Sequence, residues 1–351
     1  LASGTSGRTH GLLHSGARYC VGDRESAVEC VEENRVLRDI AAQCIEPTGG
    51  LFVALDDDDM AYADRFLDGA AACGIPVECL NAQRALHLEP NLDPGLRAAF
   101  LVPDGTFDPL RLALAFAATA RANGARFYTY SEVERLLLDG RGNVEGVAIW
   151  GRAGNGRREL RGDIVINAGG AWAGKLATLA GAQVPITPVP GIMVAFHGRL
   201  TQRAINRLNK PADGDILLPQ RGMVVVGTTS FEVQDLDYVP VEREQIAIMV
   251  ERGAALVPAL RNAPHRGAYM ATRPLVGAGG EGRSIARTFK CFDHQQSDGV
   301  DGFVTITGGK ATTCRAMAEK VSDVVCAKLG VTARCATREA PLLSYRRYFA
   351  A

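Results

Sequence analysis

Small residues at the ends of two strand-like runs constrain the fold more than any other feature of this chain. The apolar run at 163–167 leads into Ala168-Gly169-Gly170, and the run at 303–307 leads into Gly308-Gly309 and a predicted helix. Glycine lets a ligand approach the backbone closely, and the start of a helix offers N–H groups without intrahelical partners. Because ligands of open α/β sheets bind where the strands end, both segments predict a binding edge.

The N-terminal segment is a third glycine-rich stretch. Residues 4–19 read GTSGRTHGLLHSGARY, with two histidines, two arginines and several hydroxyl groups. These donors and the permissive backbone suit an anionic ligand. A flexible N-terminal loop is the alternative, but Leu12, Leu13 and Tyr19 are more apolar than such a loop requires.

The charge balance argues against some partner classes. The 351 residues include 39 basic and 39 acidic side chains, which gives a formal net charge of +0, whereas nucleic-acid binding needs a basic surplus or stripe. Nothing approaches the ~18 consecutive apolar residues of a membrane-spanning helix, and no secretory leader is visible. We expect a soluble globular protein with two domains. Because the sequence starts at Leu1 in a glycine-rich loop, it is predicted to be a fragment or a processed form.

The cysteines indicate a reducing environment. There are nine of them, an odd number, and no C-x-x-C pair occurs. Cys30 and Cys326 fall on apolar faces of predicted helices, which favours reduced, buried thiols and a cytoplasmic location. The spacing of a zinc site or a cysteine-ligated cluster is absent, so no metal site is predicted.

Hydrophobic periodicity and turn residues predict a mixture of α/β and α+β structure. The runs typical of helices lie at 23–44, 56–73, 109–123, 241–257 and 310–328. The runs typical of strands lie at 51–55, 126–130, 133–138, 144–149, 163–167, 191–196, 215–219, 223–228, 267–271 and 303–307. Residues 139–143 (DGRGN) are predicted to form a hairpin turn.

Several suggestive motifs are better explained without a special function. The four aspartates at 56–59 lack the pattern of a calcium loop and predict a solvated helix N-terminus. Lys310 follows two glycines, but the spacing is not that of a Walker loop, and no G-x-G-x-x-G segment opens a βαβ unit. The glycine cluster at 277–280 is predicted to be a surface loop.

Eight segments, in order along nearly the whole chain, resemble the FAD-dependent glycerol-3-phosphate dehydrogenases of the D-amino-acid-oxidase-like flavoprotein superfamily. The likeness is strongest to the large catalytic subunit of the anaerobic type. The segments are SGTSGRTHGLLHSGARY (3–19), EPTGGLFVAL (46–55), VPDGTFDPLRL (102–112), VINAGGAWAG (165–174), KPADGDILLP (210–219), VVGTTS (225–230), ATRPLV (271–276) and DGFVTITGGKATT (301–313).

The resemblance implies a Rossmann-like FAD-binding domain interleaved with an antiparallel-sheet substrate domain. The FAD-binding domain would comprise 1–45, 100–185 and 265–330, and the substrate domain would comprise 46–99 and 186–264. Residues 331–351 would be a tail or the start of a truncated extension. In the family a βαβ unit with G-x-G-x-x-G precedes the TSGR segment and a cysteine-rich extension follows; neither is found in this sequence.

The resemblance also implies the chemistry. Glycerol 3-phosphate would be oxidised to dihydroxyacetone phosphate, with a hydride passing to the flavin N5 of FAD. Electrons would then pass to an iron–sulfur partner and the membrane quinone pool. Such a protein would be cytoplasmic, held peripherally at the inner face of the cell membrane through its partners. No nucleic acid is expected as a partner.

Five residues are predicted to act on the substrate. Arg18 and Arg273 would hold the phosphate in a forked, two-point fashion, with Tyr19 as a further donor. His14 is a candidate base, and its alternative role is to line the flavin; His10, a neutral lysine or water are the other candidate bases. Lys310 would add positive charge at the flavin or face the substrate.

Contact with FAD is assigned to a larger set by the same resemblance. The glycines after the last strand and the helix that they open would face the charge of the reduced flavin. A backbone contact to adenine is assigned to Val133. The full set is Ser6, Gly7, Arg8, Thr9, Leu12, Val133, Ala168, Gly169, Trp172, Gly308, Gly309, Lys310 and Thr312.

Two other functions remain open at this point. One is a related flavin oxidase of an amino acid or 2-hydroxy acid, in which Arg273 would hold a carboxylate and oxygen would take the electrons. The other is a non-catalytic fragment that serves in binding or assembly. Pro190, where relatives often have lysine before Gly191, leaves the exact substrate open.

Overall fold

The computed structural model describes residues 1–152, 154, 156–231, 233, 235–277 and 285–350. Its α-helices there are α1 (Arg24–Ile40), α2 (Asp57–Ala61), α3 (Ala63–Ala72), α4 (Ala82–Leu88), α5 (Pro109–Ala122), α6 (Ala173–Thr178), α7 (Arg243–Leu256), α8 (His294–Ser297) and α9 (Cys314–Lys328). Short 3₁₀ turns lie at Thr5–Gly7, Ala42–Cys44, Gly170–Trp172, Pro258–Asn262, Ala311–Thr313 and Tyr345–Phe349.

The strands in the same residues are short except for two that extend over twelve residues. They are β1 (Leu12–Leu13), β2 (Ile45–Glu46), β3 (Gly50–Ala54), β4 (Glu78–Asn81), β5 (Ala98–Val102), β6 (Gly105–Phe107), β7 (Ser131–Leu138), β8 (Val144–Gly151), β9 (Gly156–Arg161), β10 (Val165–Asn167), β11 (Ile186–His197), β12 (Ala204–Arg207), β13 (Ile216–Gln220), β14 (Met223–Gly227), β15 (His265–Val276), β16 (Phe289–Asp293) and β17 (Phe303–Gly308).

An eight-stranded sheet dominates the architecture. Its order is β15-β11-β14-β13-β12-β3-β5-β4, and every pair is antiparallel except β12 with β3. Strands β11 and β15 pair along almost their whole length: Ile186 lies opposite Val276 at one end, and Phe196 lies opposite His265 at the other. The sequence prediction of an antiparallel-rich sheet is confirmed. Strand β15, which follows the domain boundary predicted at residue 265, is one of the strands of this sheet, and the division into domains stays a prediction.

A smaller sheet carries the two strand–glycine segments that the sequence singled out. Its order is β10-β17-β16, with β10 and β17 parallel in the register Asn167–Thr305. Parallel strands end at the same edge, so Ala168-Gly169 and Gly308-Gly309 lie side by side. The Thr307 hydroxyl donates to the Gly170 carbonyl at 3.2 Å and ties the two segments together.

Two further three-stranded sheets complete the described strands, β1-β6-β2 and β7-β8-β9. The turn between β7 and β8 is built by Asp139, whose carboxylate accepts the backbone N–H groups of Arg141 and Asn143 at 2.7 and 2.9 Å. Such side-chain acceptance is the reason that aspartate initiates turns. The hairpin predicted at 139–143 is therefore confirmed.

The apolar core lies on both faces of the eight-stranded sheet. On one face Leu51, Leu217 and Val226 pack with Met249 of α7, and each side chain is fully buried. On the other face Phe66 of α3 packs against Phe52 of β3, with ring centres 4.8 Å apart. The helix α5 begins as its sequence dictates, because Asp108 caps it and Pro109 occupies the first turn.

Three local predictions are wrong. The run at 126–130 is not a strand: pairing with β8 starts at Ser131, and Tyr130 has a left-handed φ of 54°. The helix predicted over 56–73 is two helices that divide at Tyr62. The four aspartates at 56–59 are not all solvated, because Asp59 is buried within α2. Its carboxylate lies 2.9 Å from Arg207 Nε.

Two other predictions can be compared with the structure only in part. Of the glycine cluster at 277–280, only Gly277 lies within the described residues. Among the helices of the described chain, none combines the length and the apolar character that a bilayer crossing requires.

Candidate functional site

The N-terminal segment is held against the eight-stranded sheet and the 308–313 turn by specific contacts. The His14 N–H donates to the Thr312 hydroxyl at 3.1 Å, and the Ser15 N–H donates to the buried Asp104 carboxylate at 2.7 Å. Leu12 packs in a buried cluster with Ala204 and with side chains of β13. The segment at 10–19 is thus an ordered wall of the site, and the alternative of a flexible loop is wrong for it.

The turn after β17 has a geometry that favours glycine. Gly308 and Gly309 have φ of 88° and 64°, and a Cβ added to Gly309 would lie 2.8 Å from the Met317 sulfur. The Gly309 N–H donates to the Thr288 carbonyl at 3.1 Å. That amide is therefore bonded within the protein in this structure, and the expected contact of the turn with the flavin stays a prediction.

Lys310 points into a cluster of aromatic and imidazole rings. Its Nζ lies 4.7 Å from the centre of the Tyr19 ring and donates to the Arg287 carbonyl at 2.8 Å. The Tyr19 and His14 ring centres are 5.2 Å apart, and those of His14 and His10 are 6.2 Å apart. The structure therefore brings together the predicted residues His14, Tyr19 and Lys310.

Both histidines are held neutral by their surroundings. Burial lowers the pKa of His10 to about 3, with Arg273 and Arg18 adding to the effect. Burial also lowers the pKa of His14 well below its usual value, with His10, Lys310, Arg18 and Arg287 as further contributions. A neutral imidazole has one nitrogen that can accept a proton. In His10 that nitrogen is Nδ1, which accepts the Leu12 N–H at 3.1 Å. Arg18 acts on both rings, Arg273 on His10 and Lys310 on His14.

Arg18 is committed to a carboxylate that was not predicted from the sequence. Its Nη2 lies 2.6 Å from Asp215 Oδ1, and both side chains are almost fully buried. Asp215 also accepts the Ala212 N–H at 2.8 Å, which closes the turn before β13. This pair fixes one edge of the guanidinium, so Arg18 can offer only its other nitrogens to a ligand.

Arg273 lies on β15 opposite Val189 of β11. Its guanidinium donates to the carbonyls of Pro190 and Thr229 at 3.4 and 3.2 Å and contacts the Thr228 hydroxyl. A Cβ at Gly191 would lie 2.6 Å from its Nη2. Glycine at this position therefore makes room for the arginine.

A separate cavity lies beside β10. It has a volume of about 430 Å³, and its lining includes three residues that the resemblance assigned to FAD: Val133, Ala168 and Gly169. Asn167 shapes its floor, because its side chain accepts the Gly169 N–H at 3.0 Å and donates to the Ala173 carbonyl at 2.9 Å.

The remaining predicted contacts lie at the start of the chain. Ser6 and Arg8 are exposed, and Thr9 accepts the Gly11 N–H at 3.4 Å. The Thr5 hydroxyl donates to the Thr272 carbonyl at 2.6 Å, next to Arg273. A Cβ at Gly4 would lie 3.4 Å from the Trp172 ring, so Gly4 passes close to the 169–172 turn. Gly7 ends the 3₁₀ turn that follows Gly4.

The residues fit a flavin and an anionic substrate. The donor set is rich in cations and hydroxyl groups, the glycine turns at 169–170 and 308–309 end parallel strands at one edge, and the 3₁₀ turn at 311–313 begins there. In the described part of the chain, no cluster of three or more His, Cys, Asp and Glu side chains could hold a metal ion.

The functional residues that were not predicted from the sequence are acceptors for the predicted cations. Asp215 pairs with Arg18, Thr229 receives Arg273, and the Arg287 carbonyl receives Lys310. Asp215 lies within the KPADGDILLP segment that carried the resemblance, so the motif itself was a signal. A backbone carbonyl acceptor has no sequence signature.

Comparisons with known proteins show which family the chain is similar to. The chain is 42% identical to one subunit of the anaerobic glycerol-3-phosphate dehydrogenase of Haemophilus influenzae, over 97% of this chain and 61% of that protein. It is 43% identical to the corresponding protein of Haloferax volcanii, over 97% of this chain and 60% of that protein. The chain thus spans about 60% of the length of these relatives.

A solved structure and a family model extend the comparison. The glycerol-3-phosphate dehydrogenase of Bacillus halodurans, complexed with FAD, superimposes with a TM-score of 0.74 at 22% identity, over 97% of this chain and 60% of that one. At this identity the likeness concerns the fold. The model of the FAD dependent oxidoreductases (DAO) matches residues 1–323. The chain therefore belongs to the family of FAD dependent oxidoreductases.

Proposed function

We propose that this chain is the flavin-binding, catalytic part of an enzyme that oxidises sn-glycerol 3-phosphate to dihydroxyacetone phosphate. The observation that carries the proposal is the set of cations, Arg18, Arg273 and Lys310, around two neutral histidines. A phosphorylated polyol needs both features, because its phosphate is a dianion and its hydroxyl group must lose a proton. The names of the relatives support the same substrate.

Arg273 is proposed to bind the phosphate in a forked arrangement. A guanidinium pairs with phosphate through two parallel hydrogen bonds. The orientation of the Arg273 guanidinium is fixed here by the carbonyls of Pro190 and Thr229. Arg18 would contribute the nitrogens that Asp215 leaves available. Tyr19, whose ring Lys310 approaches, is a further hydroxyl donor.

The hydroxyl proton is proposed to pass to His14 or His10. Burial and nearby cations lower the pKa of both rings and keep them unprotonated at neutral pH. The same effect makes them weak bases, so a proton taken up by either ring as the C2–H bond breaks must pass on to water. His10 would also have to release the Leu12 N–H that its Nδ1 accepts. FAD, when bound, supplies the two-electron acceptor for the hydride that leaves C2. Lys310 places positive charge at the glycine turn, where it stabilises negative charge that develops near the cofactor.

The cofactor is proposed to lie along the edge formed by the ends of β10 and β17. Val133, Ala168 and Gly169 would contact its adenine end, since they line one cavity. Its ring end would lie near the 308–313 turn, with Ser6, Gly7, Arg8, Thr9, Leu12, Trp172 and Thr312 around it. The substrate part would comprise 46–99 and 186–264, which supply most strands of the eight-stranded sheet, and this division of the chain is part of the proposal.

Electrons are proposed to pass from the flavin to an iron–sulfur partner and the quinone pool. The relatives are named as single subunits of an anaerobic glycerol-3-phosphate dehydrogenase, so they act with other subunits. The subunit names support a multi-subunit enzyme, and the peripheral position at the inner face of the cell membrane is proposed from the resemblance of the motifs. We propose an iron–sulfur partner because the motifs of this chain resemble those of the family.

Anaerobic spectroscopy of the full-length protein tests the proposed substrate. We expect the flavin absorption near ~450 nm to bleach on addition of glycerol 3-phosphate, and to persist on addition of glycerol, glycine or proline. Bleaching by an amino acid, together with peroxide production in air, would instead identify an oxidase. If none of these compounds bleached the flavin of a flavin-loaded protein, the result would contradict the proposal.

A further inference from the structure

Two residues before β16, Arg287 and Thr288, form a bridge between helix α1 and the glycine turn. On the turn side, the Arg287 carbonyl accepts from Lys310 Nζ at 2.8 Å, and the Thr288 carbonyl accepts from the Gly309 N–H at 3.1 Å. On the helix side, the Arg287 N–H donates to Asp23 Oδ2 at 2.7 Å. This bridge determines where the Lys310 ammonium can lie.

Glu29 of α1 makes the other contact on the helix side. Its Oε1 accepts a hydrogen bond from the Thr288 hydroxyl. Its Oε2 is buried and has no hydrogen-bond partner among the described residues. The charged groups around it are Lys310 of the turn, Glu25 of its own helix and the capping residue Asp23. Burial raises the pKa of Glu29, because a buried carboxylate loses its hydration. The direct contact that Glu29 makes with the bridge is its hydrogen bond with Thr288.

We propose that Glu29 is a positioning residue, which holds Thr288 by a hydrogen bond and thereby fixes the carbonyl that receives Lys310. Glu29 does not itself touch the substrate. Without its hydrogen bond, the contact between the 287–288 bridge and α1 that remains among those described above is the one through Asp23. The Lys310 ammonium would then lose its fixed position over the Tyr19 ring. The inference rests on the proposed role of Lys310 in glycerol 3-phosphate oxidation.

A double-mutant cycle in the full-length, flavin-loaded enzyme tests the inference. We expect Glu29→Ala and Thr288→Val each to slow flavin reduction by about tenfold, with KM nearly unchanged, because one hydrogen bond is lost in either case. The double variant should also be about tenfold slower and not a hundredfold slower, because both changes remove the same contact. Glu29→Gln, which retains an oxygen acceptor, should stay within about twofold of wild type.

The matched control is Glu32→Gln, on the same helix but exposed and next to Arg338; it should leave the rate unchanged. A second readout does not depend on turnover. Amide hydrogen exchange in a peptide covering 285–290 should accelerate in Glu29→Ala and Thr288→Val, and stay at the wild-type rate in Glu29→Gln and Glu32→Gln.

Three results would overturn the inference. They are multiplicative effects in the double variant, a Glu29→Gln enzyme as slow as Glu29→Ala, and unchanged exchange at 285–290 in Glu29→Ala. A wild-type enzyme whose flavin is not reduced by glycerol 3-phosphate would instead refute the proposed function. In that case the exchange measurement would still decide whether Glu29 anchors the bridge.

Discussion

Arg18 and Asp215 are 197 positions apart in the sequence and form a buried ion pair, with Arg18 Nη2 2.6 Å from Asp215 Oδ1. Their side chains are 7% and 4% exposed. The removal of one partner leaves a desolvated charge, which costs far more than the loss of a surface pair. We therefore expect Asp215→Asn to lower the free energy of unfolding by about 3–5 kcal/mol, measured by urea denaturation.

The control for this pair is Glu78→Gln. Glu78 pairs with Arg84 at 2.7 Å, but both side chains are about half exposed, so the change should cost less than about 0.5 kcal/mol. Equal costs for Asp215→Asn and Glu78→Gln would show that the burial of Arg18 does not matter for stability.

Gly309→Ala should impair flavin uptake. Gly309 and Gly330 have nearly the same φ, 64° and 65°, so alanine brings similar backbone strain at both, about 1–2 kcal/mol. Only at Gly309 would the added Cβ also meet Met317, at 2.8 Å from its sulfur. We expect Gly309→Ala to reduce both the melting temperature and the FAD bound per chain. Gly330→Ala should lower only the melting temperature, and equal FAD content in the two variants would contradict the assigned role of the turn.

Acid should destabilise the protein through His10. A histidine in the unfolded chain titrates near 6.5, whereas the pKa of His10 in the folded protein is about 3. Between these values the unfolded chain binds more protons, so stability is fully present above pH 6.5 and falls as the pH approaches 3. One such group contributes a slope of up to about 1.4 kcal/mol per pH unit.

Urea denaturation between pH 7 and pH 4 measures that slope. His10→Asn should reduce it, and His14→Asn should do the same, because the pKa of His14 is also lowered. The exposed His87 serves as the control, since His87→Asn should leave the slope as in wild type. An unchanged slope in His10→Asn would refute the claim that burial holds this ring neutral.

Lys310→Met should slow flavin reduction more than it weakens substrate binding. The methionine preserves the length of the side chain but removes the charge over the Tyr19 ring. Loss of a preorganised charge at a reacting centre costs about 100-fold in rate, which stopped-flow absorbance under anaerobic conditions would measure. Lys320→Met, at an exposed position of α9, is the control. A rate within twofold of wild type in Lys310→Met would exclude a role for this charge.

Elements with a local cause could be predicted from the sequence. Helix α5 has its cap at Asp108 and its proline at 109, and the 139–143 hairpin has its turn aspartate. The strand predicted at 126–130 failed because aromatic residues raise strand propensity, while strand formation needs a pairing partner. Here pairing with β8 begins only at Ser131.

Contacts between distant segments could not be predicted from the sequence. The resemblance of the motifs pointed to Arg18, Arg273 and Lys310, but their acceptors lie on other elements, among them Asp215 and the Arg287 carbonyl. The place of β15 in the large sheet is a further example, since it depends on pairing with β11. Local patterns identify donors, and the fold selects what they donate to.

The most direct test of the central claim compares phosphorylated and unphosphorylated substrate in wild type and Arg273→Met. The measured quantity is the ratio of kcat/KM for flavin reduction by glycerol 3-phosphate to that by glycerol. We predict a strong preference for the phosphorylated compound in wild type and a decrease of this ratio by about 100-fold in Arg273→Met, because one charged, forked contact to the phosphate is lost. An unchanged ratio would show that Arg273 does not bind the phosphate and would contradict the account.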